Sequence, residues 1–260
     1  MNEFDGYWAL VLGGSSGLGL ASAKKLAAHG MNICVIHRSP RNEKETIDAH
    51  FREIKNLGVG FLEFNADALN TEKQMEILSA LKSVLGKKAK VRCLVHSIAK
   101  GNLKPMTGEQ NLTAADFMIT LNAMAVSLYD WTKATFENGL FAADARVIAF
   151  TSEGSSKAWP HYAAVSAAKA ALEAISRNIA LEFAPFGLRS NCIQAGITDT
   201  QALRRIPGNE QMIAHTLKRN PFARLTTPED IANVVYLLAK DESAWMNGTV
   251  IPVNGGEHLQ

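Results

Sequence analysis

One feature constrains the fold more than any other: short apolar runs alternate strictly with longer helical patterns. The runs Trp8–Leu12, Asn32–Ile36, Phe61–Asn65, Val91–His96, Arg146–Thr151, Arg189–Gln194 and Thr249–Val253 read as strands. Most are apolar at successive positions, as strands covered on both faces must be. Helical periodicity lies between them, near residues 18–29, 43–57, 71–85, 113–138, 160–184 and 228–239. Strand–helix–strand alternation requires right-handed crossovers and a parallel sheet. The expected fold is therefore α/β: a single Rossmann-like domain over residues 1–260, a doubly wound parallel sheet of about seven strands with helices on both faces.

The apolar fraction of 47% supplies a core for such a sheet, and the formal charge is only +2. A near-balanced charge argues against a nucleic-acid binder, which needs a concentrated basic face. Cys34, Cys93 and Cys192 sit in strand-like runs with no Cys-x-x-Cys or Cys/His spacing, so they read as buried thiols rather than metal ligands. The start, MNEFDGYWAL, lacks a basic segment followed by an apolar core, and no apolar run reaches spanning length. A soluble, cytoplasmic protein without membrane insertion is expected.

Residues 197–224 break the rhythm. This basic, partly helical insertion, interrupted by Pro207, Gly208 and Pro221, follows the end of the sixth strand. Ligands of open α/β sheets bind at that edge, and long insertions there are often lids.

After the first strand comes Gly13-Gly14-Ser15-Ser16-Gly17-Leu18-Gly19, and then an alanine-rich helix. Glycines let backbone approach closely, and a helix N-terminus offers free N–H groups and a positive dipole end to a pyrophosphate. A tight turn alone would use glycine too; placement between strand and helix favours the dinucleotide reading. The second strand leads into His37-Arg38-Ser39-Pro40-Arg41, with no acidic residue to accept from an adenosine ribose. Arg38 and Ser39, with Arg41 as a further cation, suit a 2′-phosphate, and NADPH is the expected cofactor. The bland alternative is a pair of solvated surface arginines. Asp67 either accepts from the adenine amino group or closes an ordinary turn.

Ser152 follows the fifth strand, and Pro160-His161 introduces Tyr162. Tyr162 and Lys169 are seven residues apart, about two turns on one helix face. The neighbours of Lys169 are mostly alanine, valine and leucine, so this lysine is not on an ordinary polar stripe. An ammonium and a phenol aimed at one cleft can hold ribose hydroxyls and favour a phenolate.

Together, Gly13-x3-Gly17-x-Gly19, Asn122 within a helix, Ser152, the tyrosine and Lys169 resemble the short-chain dehydrogenases, over almost the whole chain from Leu10 to Gly256. Most members of that family separate tyrosine and lysine by three residues, which would place the tyrosine at Val165. The Tyr-x6-Lys spacing here resembles the enoyl-acyl carrier protein reductases. So do His96-Ser97-Ile98-Ala99, the Lys157–Tyr162 segment, and Ala195-Gly196-Ile197-Thr198-Asp199-Thr200 ahead of a mobile substrate helix. Two positions follow the wider family instead: Ser152, where many enoyl reductases carry a second tyrosine, and Asn122.

The resemblance implies NADPH-dependent reduction of the trans-2 double bond of an enoyl thioester on acyl carrier protein, within fatty acid elongation, by a homotetramer. Tyr162, Lys169, Ser152 and Asn122 would be catalytic. The cofactor would lie along Gly13, Ser15, Ser16, Gly17, Leu18, Gly19, Arg38, Ser39, Asp67, His96, Ser97, Ile98, Lys169, Gly196, Ile197, Thr198 and Thr200. Arg204, Arg205, Lys218 and Arg219 either receive an acidic carrier protein or are solvated lid charges. Two alternatives stay open: a carbonyl or 3-ketoacyl reductase of the same fold, and an NADPH-sensing regulatory protein.

Overall fold

A computed structural model describes residues 3–86 and 90–259; the outermost residues of the expected domain lie outside the described residues. Seven strands form one sheet: β1 Tyr7–Leu12, β2 Asn32–His37, β3 Phe61–Asn65, β4 Lys90–His96, β5 Phe141–Ser152, β6 Leu188–Ala195 and β7 Val250–Val253. Their spatial order is β3-β2-β1-β4-β5-β6-β7, and every pairing is parallel.

Alternate residues of each strand enter opposite cores. Val11, Val35, Val95 and Ile193 pack with α1 (Gly17–Ala28), α2 (Lys44–Lys55) and α9 (Pro228–Ala239). Leu10, Cys34, Leu94 and Cys192 pack with α3 (Thr71–Leu85), α5 (Ser127–Glu137) and α6 (Ala163–Glu182). This double burial is why the strands are apolar at consecutive positions. The three thiols are buried, and burial pushes Cys93 up to about 12 and Cys192 up to about 11, so neither is a thiolate at neutral pH.

Three local features depart from the periodicity. The fifth strand begins at Phe141, five residues earlier than its apolar run, because Phe141 pairs with Val91 before the register shifts to Cys93–Arg146. The residues between place Asp144 among Arg92, Arg146 and Arg189, whose guanidinium groups pair with it. Arg92 Nε and Arg146 Nε also donate to the carbonyls of Ala239 and Leu238 at the end of α9, at 3.0 Å each. These buried cations are thereby paired, and they cap a helix C-terminus.

The helix expected over 113–138 is α4 (Ala114–Leu121), a wider π-helical turn at Asn122–Val126, and α5. The helix expected from 160 starts at Ala163, because His161 takes a left-handed φ of 63°. Tyr162 is therefore the N-cap of α6 and stands at its end rather than inside it.

The chain leaves β1 towards β2 and β3, then crosses back to β4. The crevice at the C-terminal ends of β1 and β4 is thus the topological switch point where such sheets bind ligands. The 197–224 segment folds over that edge as α7 (Gln201–Arg204) and α8 (Asn209–Arg219).

Candidate active site

A cavity of about 730 Å³ opens between the sheet edge and α7–α8. Its wall takes Gly13, Ser16, Gly17 and Leu18 from the turn after β1, and Ser97 and Ile98 from the end of β4. Ser152, Tyr162 and Lys169 come from β5 and α6, and Gly196, Ile197, Thr198 and Thr200 from the segment after β6. Ser152, Tyr162 and Lys169 therefore converge with the sequence-predicted residues for the inner half of a dinucleotide.

The turn after β1 is shaped by close approach. Gly13 has φ of 82°, and a Cβ there would run into the backbone of Ser97; a Cβ at Gly19 would run into the backbone of Gly13. Ser16, the N-cap of α1, makes no side-chain cap hydrogen bond, so the first-turn N–H groups stay free for an anion. These features fit a dinucleotide pyrophosphate.

The outer predicted residues lie beyond the cavity wall. Arg38 is exposed at the end of β2 and donates to Asp67 at 2.7 Å. Ser39 Oγ lies 3.1 Å from Ser15 Oγ, and Asn65 bonds both its N–H and its carbonyl. Arg38, Ser39 and Ser15 thus form one polar ledge where an adenosine 2′ substituent would project. Asp67 is there too, engaged by Arg38 and by the Leu69 N–H.

Two expected site residues point elsewhere. The His96 side chain is 1% exposed, bonds Ser127 Oγ at 2.7 Å, and does not line the cavity. Burial, with Lys169 nearby, pushes its pKa down to about 3, so it is a neutral structural imidazole. Asn122 is exposed and outside the cavity wall; its contribution is the start of the π-helical turn.

Tyr162 and Lys169 both line the cavity. Lys169 is buried, and its Nζ donates to the Phe150 carbonyl at 2.6 Å. Burial pushes its pKa down to about 8, opposed by Glu173 and Cys192. The expected lowering of the Tyr162 phenol by Lys169 is not found: burial pushes the phenol above its usual value. Tyr162 is therefore a protonated donor at neutral pH. Ser152 Oγ is buried without a hydrogen-bond partner in the same wall, ready for a polar group of a ligand.

The family model described as Enoyl-(Acyl carrier protein) reductase matches residues 13–258. The chain is a short-chain dehydrogenase/reductase. It is 26% identical over 262 residues to the enoyl-[acyl-carrier-protein] reductase [NADH] FabI of Aquifex aeolicus, covering 100% of this chain and 94% of that protein. To the oxidoreductase UcpA of Escherichia coli it is 26% identical over 269 residues, covering 100% and 97%. The crystal structure of the enoyl-[acyl-carrier-protein] reductase (NADH) from Aquifex aeolicus superposes with a TM-score of 0.84 at 25% identity, covering 99% of this chain and 98% of that one. Membership makes the chain an oxidoreductase with a nicotinamide cofactor. Among the described residues no helix is long and apolar enough to cross a membrane.

Gly154 and the ion pairs of Arg219 escaped the sequence reading of this oxidoreductase, whereas the place of Val165 did not. Val165, which stands where most family members carry tyrosine, is buried in an apolar wall with Ala123, Met124 and Ala168. Gly154 packs against the phenol ring: a Cβ there would stand 2.5 Å from Tyr162 Cε1. Gly154→Ala is expected to displace the ring and lower kcat about tenfold or more with nicotinamide binding retained, since a misplacement of about 1 Å can cost ~10²-fold. Steady-state kinetics beside a cofactor titration checks this. Arg219 is not a surface cation: its side chain is 14% exposed and pairs with Glu153 and Glu257. Of the four lid cations, Arg204 pairs with Asp199, and Arg205 and Lys218 remain exposed. No local pattern marks Arg219 as different, because its partners lie 66 and 38 residues away.

Proposed function

We propose that this reductase uses NADPH to reduce the trans-2 double bond of an enoyl thioester, carried on acyl carrier protein, and that it works as a homotetramer. The observation that carries the reading is the exchange of roles on α6: Tyr162 and Lys169 line the cavity, and the position three residues before Ala168-Lys169, Val165, is an apolar wall.

The physical reason lies in where charge develops. In ketone reduction hydride reaches the carbonyl carbon, and the attached oxygen becomes anionic. In enoyl reduction hydride reaches the β-carbon, and the charge appears on the thioester oxygen further along the conjugated system. The acid must meet the oxygen where the charge forms, and a phenol one turn earlier on the helix reaches a different point. Bound NADPH supplies the hydride, that is, both electrons. The half-buried Tyr162 phenol donates its hydrogen bond to the enolate oxygen, and the α-carbon takes its proton from solvent or the phenol. Lys169 holds the ribose side of the site, and Ser152 Oγ offers a second polar contact beside Tyr162.

The choice of NADPH is supported by Arg38 and Ser39 after β2, beside Ser15 of the glycine turn; no acidic residue directly follows β2 to select a free 2′-hydroxyl, and Asp67 on that ledge is engaged by Arg38 and the Leu69 N–H. Arg38 would turn from Asp67 to the phosphate. Arg38→Ala is expected to weaken NADPH about 10- to 100-fold, as the loss of a charge-assisted hydrogen bond implies, and to leave NADH little changed; paired affinity titrations check it. Arg205 and Lys218 are the exposed lid cations for an acidic carrier.

Ser152 favours a second reading, a carbonyl or 3-ketoacyl reductase, because it stands unpaired beside the phenol as in the wider family. Assay with crotonyl and acetoacetyl thioesters plus NADPH separates the two. Faster NADPH oxidation with the ketoacyl substrate would overturn the enoyl assignment.

A further inference from the structure

The lid helix α8 is anchored in an unusual way. A helix that covers a cavity normally docks through an apolar stripe. The fully buried residue of α8 is instead Thr216. Its hydroxyl donates to Glu257 Oε1 at 3.2 Å, and Arg219 Nη2, one turn on, donates to the same oxygen at 2.6 Å. The same Nη2 also donates to Glu153 Oε2 at 2.5 Å.

Each carboxylate then reaches a different part of the site. Glu257 Oε2 accepts the Ile197 N–H at 3.3 Å. It presses so closely on the segment after β6 that a Cβ on Gly196 would stand 2.9 Å from that oxygen. Glu153 lies between Ser152 and Gly154, the glycine against the Tyr162 ring. The Glu257 and Arg219 side chains are 3% and 14% exposed. Ion pairs withdrawn from water contribute little net stability, because desolvation offsets their attraction, but removing one partner leaves an uncompensated charge. Such a triad specifies an arrangement rather than strengthening the fold.

We infer that Arg219, Glu257 and Glu153 are positioning residues that latch α8 over the cavity and couple its seating to the Ile197 strap and the catalytic loop. Opening the lid breaks the contacts of Arg219 with Glu257, which holds the Ile197 N–H, and with Glu153, which keeps Lys157 as a partner. The inference rests on the proposed function only in taking residues 196–200 as the nicotinamide end; nothing in it depends on the substrate.

Hydrogen exchange of the full-length protein, with and without NADPH, tests it alongside NADPH affinity. In Glu257→Gln and in Arg219→Met, amides of 209–219 should exchange about tenfold faster or more, while those of β4 and β5 keep their wild-type protection. Glu257→Gln should also speed exchange at 196–200 and weaken NADPH several-fold, an effect that general loosening of the fold would not confine to these segments. The double variant should be no worse than the worse single one, since both remove the same coupling. Thr216→Val, which removes one contact to the carboxylate, should give the same local loosening at smaller amplitude, and it decides the matter if a charge variant fails to fold. Wild-type exchange at both segments in Glu257→Gln or Thr216→Val, or additive effects in the double variant, would overturn the latch. An intact latch in a protein inactive on enoyl thioesters would sink the substrate reading alone.

Discussion

Tyr162→Phe is expected to lower kcat for enoyl thioester reduction by about 10²–10⁴-fold, the range for loss of a positioned proton donor, with NADPH binding preserved. The substitution keeps the ring that packs on Gly154 and removes only the hydroxyl. Because burial holds the phenol above its usual pKa, it is a donor throughout the neutral range, and among the described residues no other tyrosine lines the cavity. Val165 has no proton to give, and Ser152 can share a hydrogen bond but titrates far too high to replace the acid. Steady-state rates with crotonyl thioester, beside a fluorescence titration of NADPH, read both quantities. Turnover that survives the substitution would remove the chemical basis of the proposed function and leave the nucleotide fold standing.

Lys169→Met is expected to stabilise the protein while it abolishes most turnover. The lysine is depressed from 10.5 to about 8, so at neutral pH its charge costs the folded state about 3 kcal/mol at ~1.4 kcal/mol per pKa unit. Methionine removes that cost and fills similar volume, but it leaves the Phe150 carbonyl without its donor, worth about 1–2 kcal/mol. The net gain is about 1–2 kcal/mol at pH 7, or a Tm higher by roughly 2–6 °C for a chain of this size.

The sign of the pH dependence follows from linkage. Between pH 8 and pH 10.5 the unfolded chain still holds the proton that the folded chain has released, so wild-type stability from this group rises with pH across that window. The advantage of Lys169→Met is therefore complete below pH 8, shrinks as pH rises, and reverses before pH 10.5, where only the lost hydrogen bond to the Phe150 carbonyl remains. Thermal unfolding of both proteins across this range isolates the difference. A variant less stable than wild type at pH 7 would mean that the ammonium is better solvated than its burial indicates. Gain of stability with loss of activity is the usual signature of a group kept for chemistry.

The sheet was legible because its signals are local. Each strand is apolar at consecutive positions, and each long helix repeats near 3.6 residues, so both show within a short window. The glycine turn was legible for the same reason: Gly13 to Gly19 span a single strand–helix junction. Tyr162 and Lys169 were recognisable as a pair because seven residues separate them. Misreadings arose where a side chain's direction mattered. His96 lies next to two cavity residues, yet its ring turns inward to Ser127. Asn122 falls in a helix whose widened turn leaves its side chain outside. Arg219 looks in sequence like its neighbour Lys218, but Lys218 is exposed and Arg219 is half-buried between two carboxylates.

By itself, then, the chain's order of residues determined the α/β architecture, the glycine turn between β1 and α1 and the seven-residue spacing of Tyr162 and Lys169, all encoded by neighbours within a few turns. Tertiary structure alone decided the low pKa of Lys169, the raised phenol of Tyr162, the burial of Val165 and the carboxylates that meet Arg219. Those properties come from desolvation and contact, and both depend on elements that are remote along the chain and adjacent only once the sheet has closed.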